Sequence, residues 1–170
     1  MRIVALLLSA SWWGCDVGEL PLAPTDDAAL DATALQSAAT WNQLPRINSK
    51  AYVSAIGSFD INVFVSGDVA DFRQIHPETN GSHVKVAEGT VIVRAVLDGS
   101  GAVEKLTLMA KGPPGYDATL GDWWFGVTDP TGTPLVTNGV PQIGRLTDCH
   151  TCHAPRASDD FVFGVPRADD

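Results

Sequence analysis

Positive charge is the scarcest property of this 170-residue sequence, in which 11 Lys and Arg stand against 20 Asp and Glu for a formal net charge of −9. Such a chain repels a phosphate backbone, which excludes nucleic-acid binding. Long apolar runs are missing too, so no integral membrane helix of roughly 18 residues can be drawn. Charged residues make up 18% and apolar ones 45%, too apolar a composition for a disordered tail. No internal repeat is visible, and the length suits one domain with one core.

Cysteine is also rare, at three residues. The first, Cys15, closes a segment with a positive start at Arg2, an apolar stretch from Ile3 to Trp13 and a small Gly14. That pattern predicts a signal peptide over 1–15 of lipoprotein type, with Cys15 as the lipidated residue. Plain cleavage, or a retained N-terminal element with Cys15 in the core, are the alternatives. The Pro-, Gly- and acid-rich stretch over 16–27 reads as a flexible tether, leaving a single domain over 28–170. The expected location is therefore outside the cytoplasm, periplasmic or held to a membrane only through a lipid anchor.

Leu30, Ala34, Ala38 and Trp41 recur at helical spacing before Pro45, with Asp26 or Asp27 as a cap. Phe59 to Val65 reads as a strand, and Gly67-Asp68 as its end and the cap of a short helix through Ile75. A hairpin follows, with Gly89 to Leu97 answered by Ala102 to Ala110 across an Asp98-Gly99-Ser100-Gly101 turn. Val91, Val93, Ala95, Leu106 and Leu108 fall on one face. Thr90, Ile92, Arg94, Thr107 and Met109 fall on the other, a mixture that suits a pocket wall. Beyond the break at Gly112 to Gly115, Asp122 to Thr128 and Thr133 to Thr137 read as strands joined at Asp129 to Gly132. Of Trp123, Trp124 and Phe125, alternate members must point to opposite faces. The turns are too short for parallel crossovers, so the expected class is α+β, a mainly antiparallel sheet with a few flanking helices.

The sharpest signal is Cys149-His150-Thr151-Cys152-His153. Cys, two residues, Cys, His is the spacing that attaches a c-type haem, and roughly 0.001 chance matches are expected from this composition. Two thiols bond the haem as thioethers and the following His153 becomes the axial iron ligand. Competing readings are a zinc site, which lacks four well-spaced ligands, a thioredoxin-like pair, which lacks its βαβ unit, and a structural disulfide, which leaves His153 unexplained. Met109, His76, His83 and His150 are candidate sixth ligands, although Met109 also reads as a core residue and His76 as a loop residue. Arg94 can meet an anionic ligand or a haem propionate, or be a solvated strand arginine. Lys85, Lys105 and Lys111 read as surface lysines.

Three motifs, GTVIVR at Gly89 to Arg94, LMAKGPPGYDATLGDWWF at Leu108 to Phe125 and CHTCHAPRASDDFVF at Cys149 to Phe163, resemble the cytochrome P-460 family. The resemblance is strong over about half of the chain and weaker back to Phe59. It implies an exported c-type haem protein, mainly antiparallel β, usually dimeric, with the haem packed near the C-terminal attachment motif. Members that oxidise hydroxylamine carry a lysine bonded to the haem ring at the position of Arg94 here. Their acidic proton-transfer residue aligns with Thr107, and an arginine of the earlier strand with Asn62. The β-sheet relatives called cytochrome c prime also lack the lysine link. Asp159, Asp160 and Phe161 correspond to the family's ending and are expected to pack a last strand beside the haem.

The resulting expectation is a haem c protein with five-coordinate iron on His153 and a distal wall of Arg94 and Met109. It would bind nitric oxide or pass electrons to a redox partner protein. The alternatives are an enzyme oxidising hydroxylamine or nitric oxide, with Arg94 and Thr107 in catalysis, and a haem-free zinc or disulfide module.

Overall fold

A computed structural model of the chain describes residues 26–54, 57–77 and 79–166. The expected signal segment with Cys15, and the tether up to residue 25, lie outside the described residues. Among those described, no helix is long and apolar enough to cross a membrane.

The first described element is α1 (Asp26–Ala39). Asp26 and Asp27, expected in the tether or as its cap, are the first residues of this helix. Leu30, Ala34 and Ala38 are buried at four-residue spacing. The helix stops at Ala39, short of Pro45, and the turn at Asp129 to Thr133 packs against its end. A side chain on Gly132 would come within 2.7 Å of the Ala39 nitrogen. Trp41 then donates from Nε1 to the Pro130 carbonyl at 3.2 Å and meets the Phe64 ring edge-on, with centroids 5.0 Å apart.

The strands are β1 (Tyr52–Val53), β2 (Asp60–Val65), then β3 (Val91–Leu97), β4 (Val103–Lys111) and β5 (Trp123–Thr128). Two short strands, β6 (Val136–Thr137) and β7 (Val140–Pro141), pair only with each other, and β8 (Ile143–Gly144) returns to β5. The main sheet has the order β1-β2-β3-β4-β5-β8, and every pair in it is antiparallel. A short helix α2 (Val69–Gln74), capped by the Asp68 carboxylate on the Ala70 N–H at 2.8 Å, lies between β2 and β3. Helix α3 (Thr147–His153) follows β8. The fold is α+β with a mainly antiparallel sheet, as the short turns predict.

The β3–β4 hairpin forms as expected. Asp98 accepts from the Ser100 and Ala102 N–H groups at 2.8 and 3.0 Å, and Gly101 takes the left-handed φ of 85° that the turn requires. The predicted strand over Thr133 to Thr137 shrinks to β6. Asp129 repeats the same turn chemistry on Thr131 and Thr133, and the stretch after it meets β5 through the Thr128–Pro134 bridge and the Leu135 N–H bond to the Val127 carbonyl at 2.9 Å.

Strict alternation gives the sheet two buried faces. Phe64, Val91, Val93, Ala95, Leu106, Leu108, Ala110 and Trp124 pack against α1. Ile61, Val63, Val65, Ile92, Val96, Met109, Trp123 and Phe125 pack against Phe72, Ile75, Val84, Val86, Val162 and Val165. Trp123 and Phe125 therefore face away from Trp124, as the period of two dictates. Burying a side chain the size of Phe125 contributes about 1.5–3 kcal/mol.

The alanines of α1 set its close approach to the sheet. Ala34→Leu should overpack that face and lower stability by about 1–3 kcal/mol in urea titrations. Exposed Ala32→Leu, two residues away on the same helix, should change it by less than about 0.5 kcal/mol.

Candidate functional site

On α3, Cys149 and Cys152 are spaced i, i+3 and Cys149 and His153 i, i+4, so all three share one helix face. That face lines a cavity of about 460 Å³, within the range of about 300–1,000 Å³ usual for small-molecule and cofactor sites. The second face of the sheet forms the opposite wall, with Ile92, Arg94, Thr107, Met109 and Phe125. In the β3–β4 register Ile92 pairs with Met109 and Arg94 with Thr107, so four residues of the mixed face read from sequence form one continuous patch of this wall, while Thr90, ahead of β3, is not part of the lining. Tyr52 and Ser54 at the sheet edge, and Val162 to Gly164 after α3, complete the lining.

His153 is fixed by its own surroundings. Its Nδ1 lies 2.7 Å from the Phe161 carbonyl oxygen, which can only accept, so Nδ1 carries the proton and Nε2 keeps its lone pair. The ring sits between Phe125, at 5.4 Å, and Phe163, at 5.2 Å and edge-on. Burial lowers the imidazole pKa below its ordinary value, the Phe161 hydrogen bond opposes this, and the Arg94 charge adds to the lowering. The imidazole is therefore neutral at pH 7, the state in which histidine binds metals. An Nδ1–H bond to a backbone carbonyl is also the usual support of a ligating histidine.

Cys149 and Cys152 are both free thiols. Burial first, and then the neighbouring Cys152 and Asp148, push the Cys149 thiol up to about 11. A thiol held protonated is the opposite of the low-pKa cysteine of a thiol–disulfide catalyst. The all-antiparallel sheet also lacks the βαβ unit that such a catalyst uses. Among the described residues no group of three or more His, Cys, Asp or Glu is placed to hold a metal ion. A zinc ion bound by side chains alone would need such a group. A metal already held in a macrocycle needs only the imidazole.

Arg94 is half-buried, donating from Nε to Thr107 Oγ1 at 3.0 Å and from Nη1 to Ser54 Oγ at 3.3 Å. Burial lowers its pKa from the ordinary arginine value, opposed by Tyr52 and the two thiols, and it stays cationic. Met109 faces the cavity, whereas His76, His83 and His150 are not among its lining residues. Asn62, aligned with the family's arginine, pairs with Ala95 on β3 and therefore points to the α1 side of the sheet, away from the cavity.

The segment after α3 departs from the sequence reading. Instead of a last strand, residues Ala154–Asp159 form a 3-10 turn, and Asp160 and Phe161 take left-handed φ values of 53° and 64°. Each such residue costs about 1–3 kcal/mol, so its surroundings must hold it in place. Asp159 accepts from the Gly81, Ser82 and His83 N–H groups and pairs with buried Arg156 at 3.2 Å. Asp160 accepts from the Val86 N–H at 2.9 Å and pairs with Lys111 Nζ at 2.8 Å, and its carbonyl accepts from Trp123 Nε1 at 2.7 Å. Lys111 also donates to the Gly121 carbonyl at 2.6 Å. It is thus a buried structural cation rather than the surface lysine expected. Its place in the alternation that puts Thr107 and Met109 on the cavity face was the available signal.

No family model, no curated protein and no solved structure matches the chain.

The Lys111–Asp160 pair has side-chain exposures of 13% and 2%, so removing one partner leaves an uncompensated buried charge. Asp160→Ala should cost about 3–5 kcal/mol in chemical denaturation. Lys85, which is 74% exposed and 3.6 Å from the same carboxylate, should cost less than about 1 kcal/mol when changed to Ala.

Proposed function

We propose that this chain is an exported c-type haem protein whose iron is carried by His153 and open toward the β3–β4 wall. Such a site binds nitric oxide or passes electrons to a redox partner protein. The observation that carries this reading is the convergence of Cys149, Cys152 and His153 on one face of α3 against a largely apolar cavity. The donor set fits the group. Cys149 and Cys152 would hold the haem as thioethers, and His153 would ligate the iron through Nε2, with Nδ1 committed to Phe161. When bound, the haem supplies a one-electron centre and an open coordination position. The chain supplies the anchor, a tuned axial imidazole and a lining of Ile92, Met109 and Phe125 that limits water.

The rival reading, oxidation of hydroxylamine or nitric oxide as the resemblance to cytochrome P-460 implies, draws on the polar pair in the same cavity. Arg94 and Thr107 occupy the two positions that carry a ring-bonded lysine and a carboxylic acid in those enzymes. A guanidinium is no amine nucleophile and a threonine hydroxyl stays protonated at neutral pH, so neither performs those roles. These substitutions favour ligand binding or electron transfer over turnover, in which Arg94 would be left only the orienting of substrate. The leader over 1–15 would direct export, and lipidation of Cys15 would add an anchor.

Expressed with cytochrome c maturation enzymes, the protein should show an intact mass raised by one covalent haem. Cys149→Ser and Cys152→Ser should each retain at most a single thioether, and His153→Ala should lose the native spectrum. A wild-type mass without haem sinks the proposal and leaves a haem-free module with a Cys149–Cys152 disulfide as the alternative. In the loaded protein, nitric oxide should bind the ferrous form, while hydroxylamine with an electron acceptor should give no turnover above background. Sustained turnover would decide for the enzyme.

A further inference from the structure

Arg94 presents an unbalanced charge. No carboxylate among the described residues pairs with it, while the cations Lys111, Arg145 and Arg156 each have one. Its two side-chain partners, Thr107 and Ser54, are neutral hydroxyls that fix the direction of the guanidinium without neutralising it. They engage two of its five N–H donors.

The groups that face it do not supply the missing charge either. Burial pushes the Tyr52 phenol up to about 12, so it is neutral. In the haem reading Cys149 and Cys152 are neutral thioethers and His153 a neutral ligand, so none of them supplies it. The one acidic residue of the lining, Asp148, is solvent-exposed on α3. A half-buried cation of this kind is costly unless an anion meets it in place of water.

We propose that the cavity wall built by Arg94, Thr107 and Ser54 is an anion receptor, so the site takes a small anion such as azide or nitrite in preference to a neutral ligand of similar size. This rests on the haem reading, in which the anion lies within the cavity shared by Arg94 and His153. The same chemistry is satisfied by a propionate carboxylate of the haem itself, and the experiment separates the two sources. The guanidinium can give an anion two parallel N–H bonds from its fork, which a neutral ligand cannot exploit equally.

The test uses the haem-loaded ferric protein, its loading checked by mass, with azide as the anionic probe and imidazole as the neutral one. Arg94→Gln should weaken azide roughly ten- to a hundredfold and imidazole by less than about threefold, the range expected for losing a charge-assisted hydrogen bond. Arg94→Met, apolar and of similar length, gives a second uncharged variant should the glutamine protein fail to fold. If azide is unmoved while the acid-side inflection in the pH dependence of the reduction potential shifts upward, the anion is the haem propionate. If neither moves, the receptor is refuted. A wild-type protein that carries haem yet takes up neither ligand refutes the open iron instead, and the inflection alone then decides. A wild-type protein whose mass shows no haem fails the haem reading and the receptor with it, an outcome the mass distinguishes from failure of the receptor alone.

Discussion

The ion pair between Lys111 and Asp160 joins the two halves of the molecule that the cavity lies between. Lys111 ends β4 on the cavity face of the sheet, and Asp160 follows the turn that leaves α3. Through it, and through the Trp123 Nε1 bond to its own carbonyl, Asp160 is held in a left-handed conformation beside Phe161. The Phe161 carbonyl is thereby aimed at His153 Nδ1. The orientation of the His153 imidazole is thus set by a buried charge pair that reaches back to Lys111 on β4. A buried pair of this kind is weak evidence for stability taken alone. Its use here is geometric, since it decides which backbone carbonyl meets the histidine.

The sheet supplies the other half of the geometry. Because the side-chain period is two, β3 and β4 deliver Val91, Val93 and Leu108 to α1 and Ile92, Arg94, Thr107 and Met109 to the cavity. One face is a sealed apolar layer covered by small alanines. The other is apolar at its margins and polar where Arg94 and Thr107 pair. That contrast lets a single domain keep a rigid core and a ligand cavity on opposite sides of one sheet.

Much of this was legible in the sequence, for local reasons. The β3–β4 hairpin, the Asp68 cap, the alternation through Trp123 to Phe125 and the short-turn antiparallel order rest on neighbouring residues, and the structure has them. Ile92, Arg94, Thr107 and Met109 of the mixed face also share one cavity with Cys149, Cys152 and His153. What could not be read depended on contacts between distant segments. The packing of the Gly132 turn against the end of α1 at Ala39 is one such contact. Asp159 and Asp160 look like strand residues until the backbone N–H groups of 81–83 and Val86 are brought to them. Asn62 was drawn to the site by alignment, and its own strand parity argues against that place.

The claim on which everything else rests is that Cys149, Cys152 and His153 together hold a haem with an open face. The optical spectrum of the protein matured with its cytochrome c machinery, recorded oxidised and reduced, tests it most directly. A single axial imidazole facing an open cavity gives five-coordinate, high-spin spectra in both states. A six-coordinate low-spin spectrum would contradict the open face and make the protein an electron carrier, and the absence of any haem absorption would contradict the site itself.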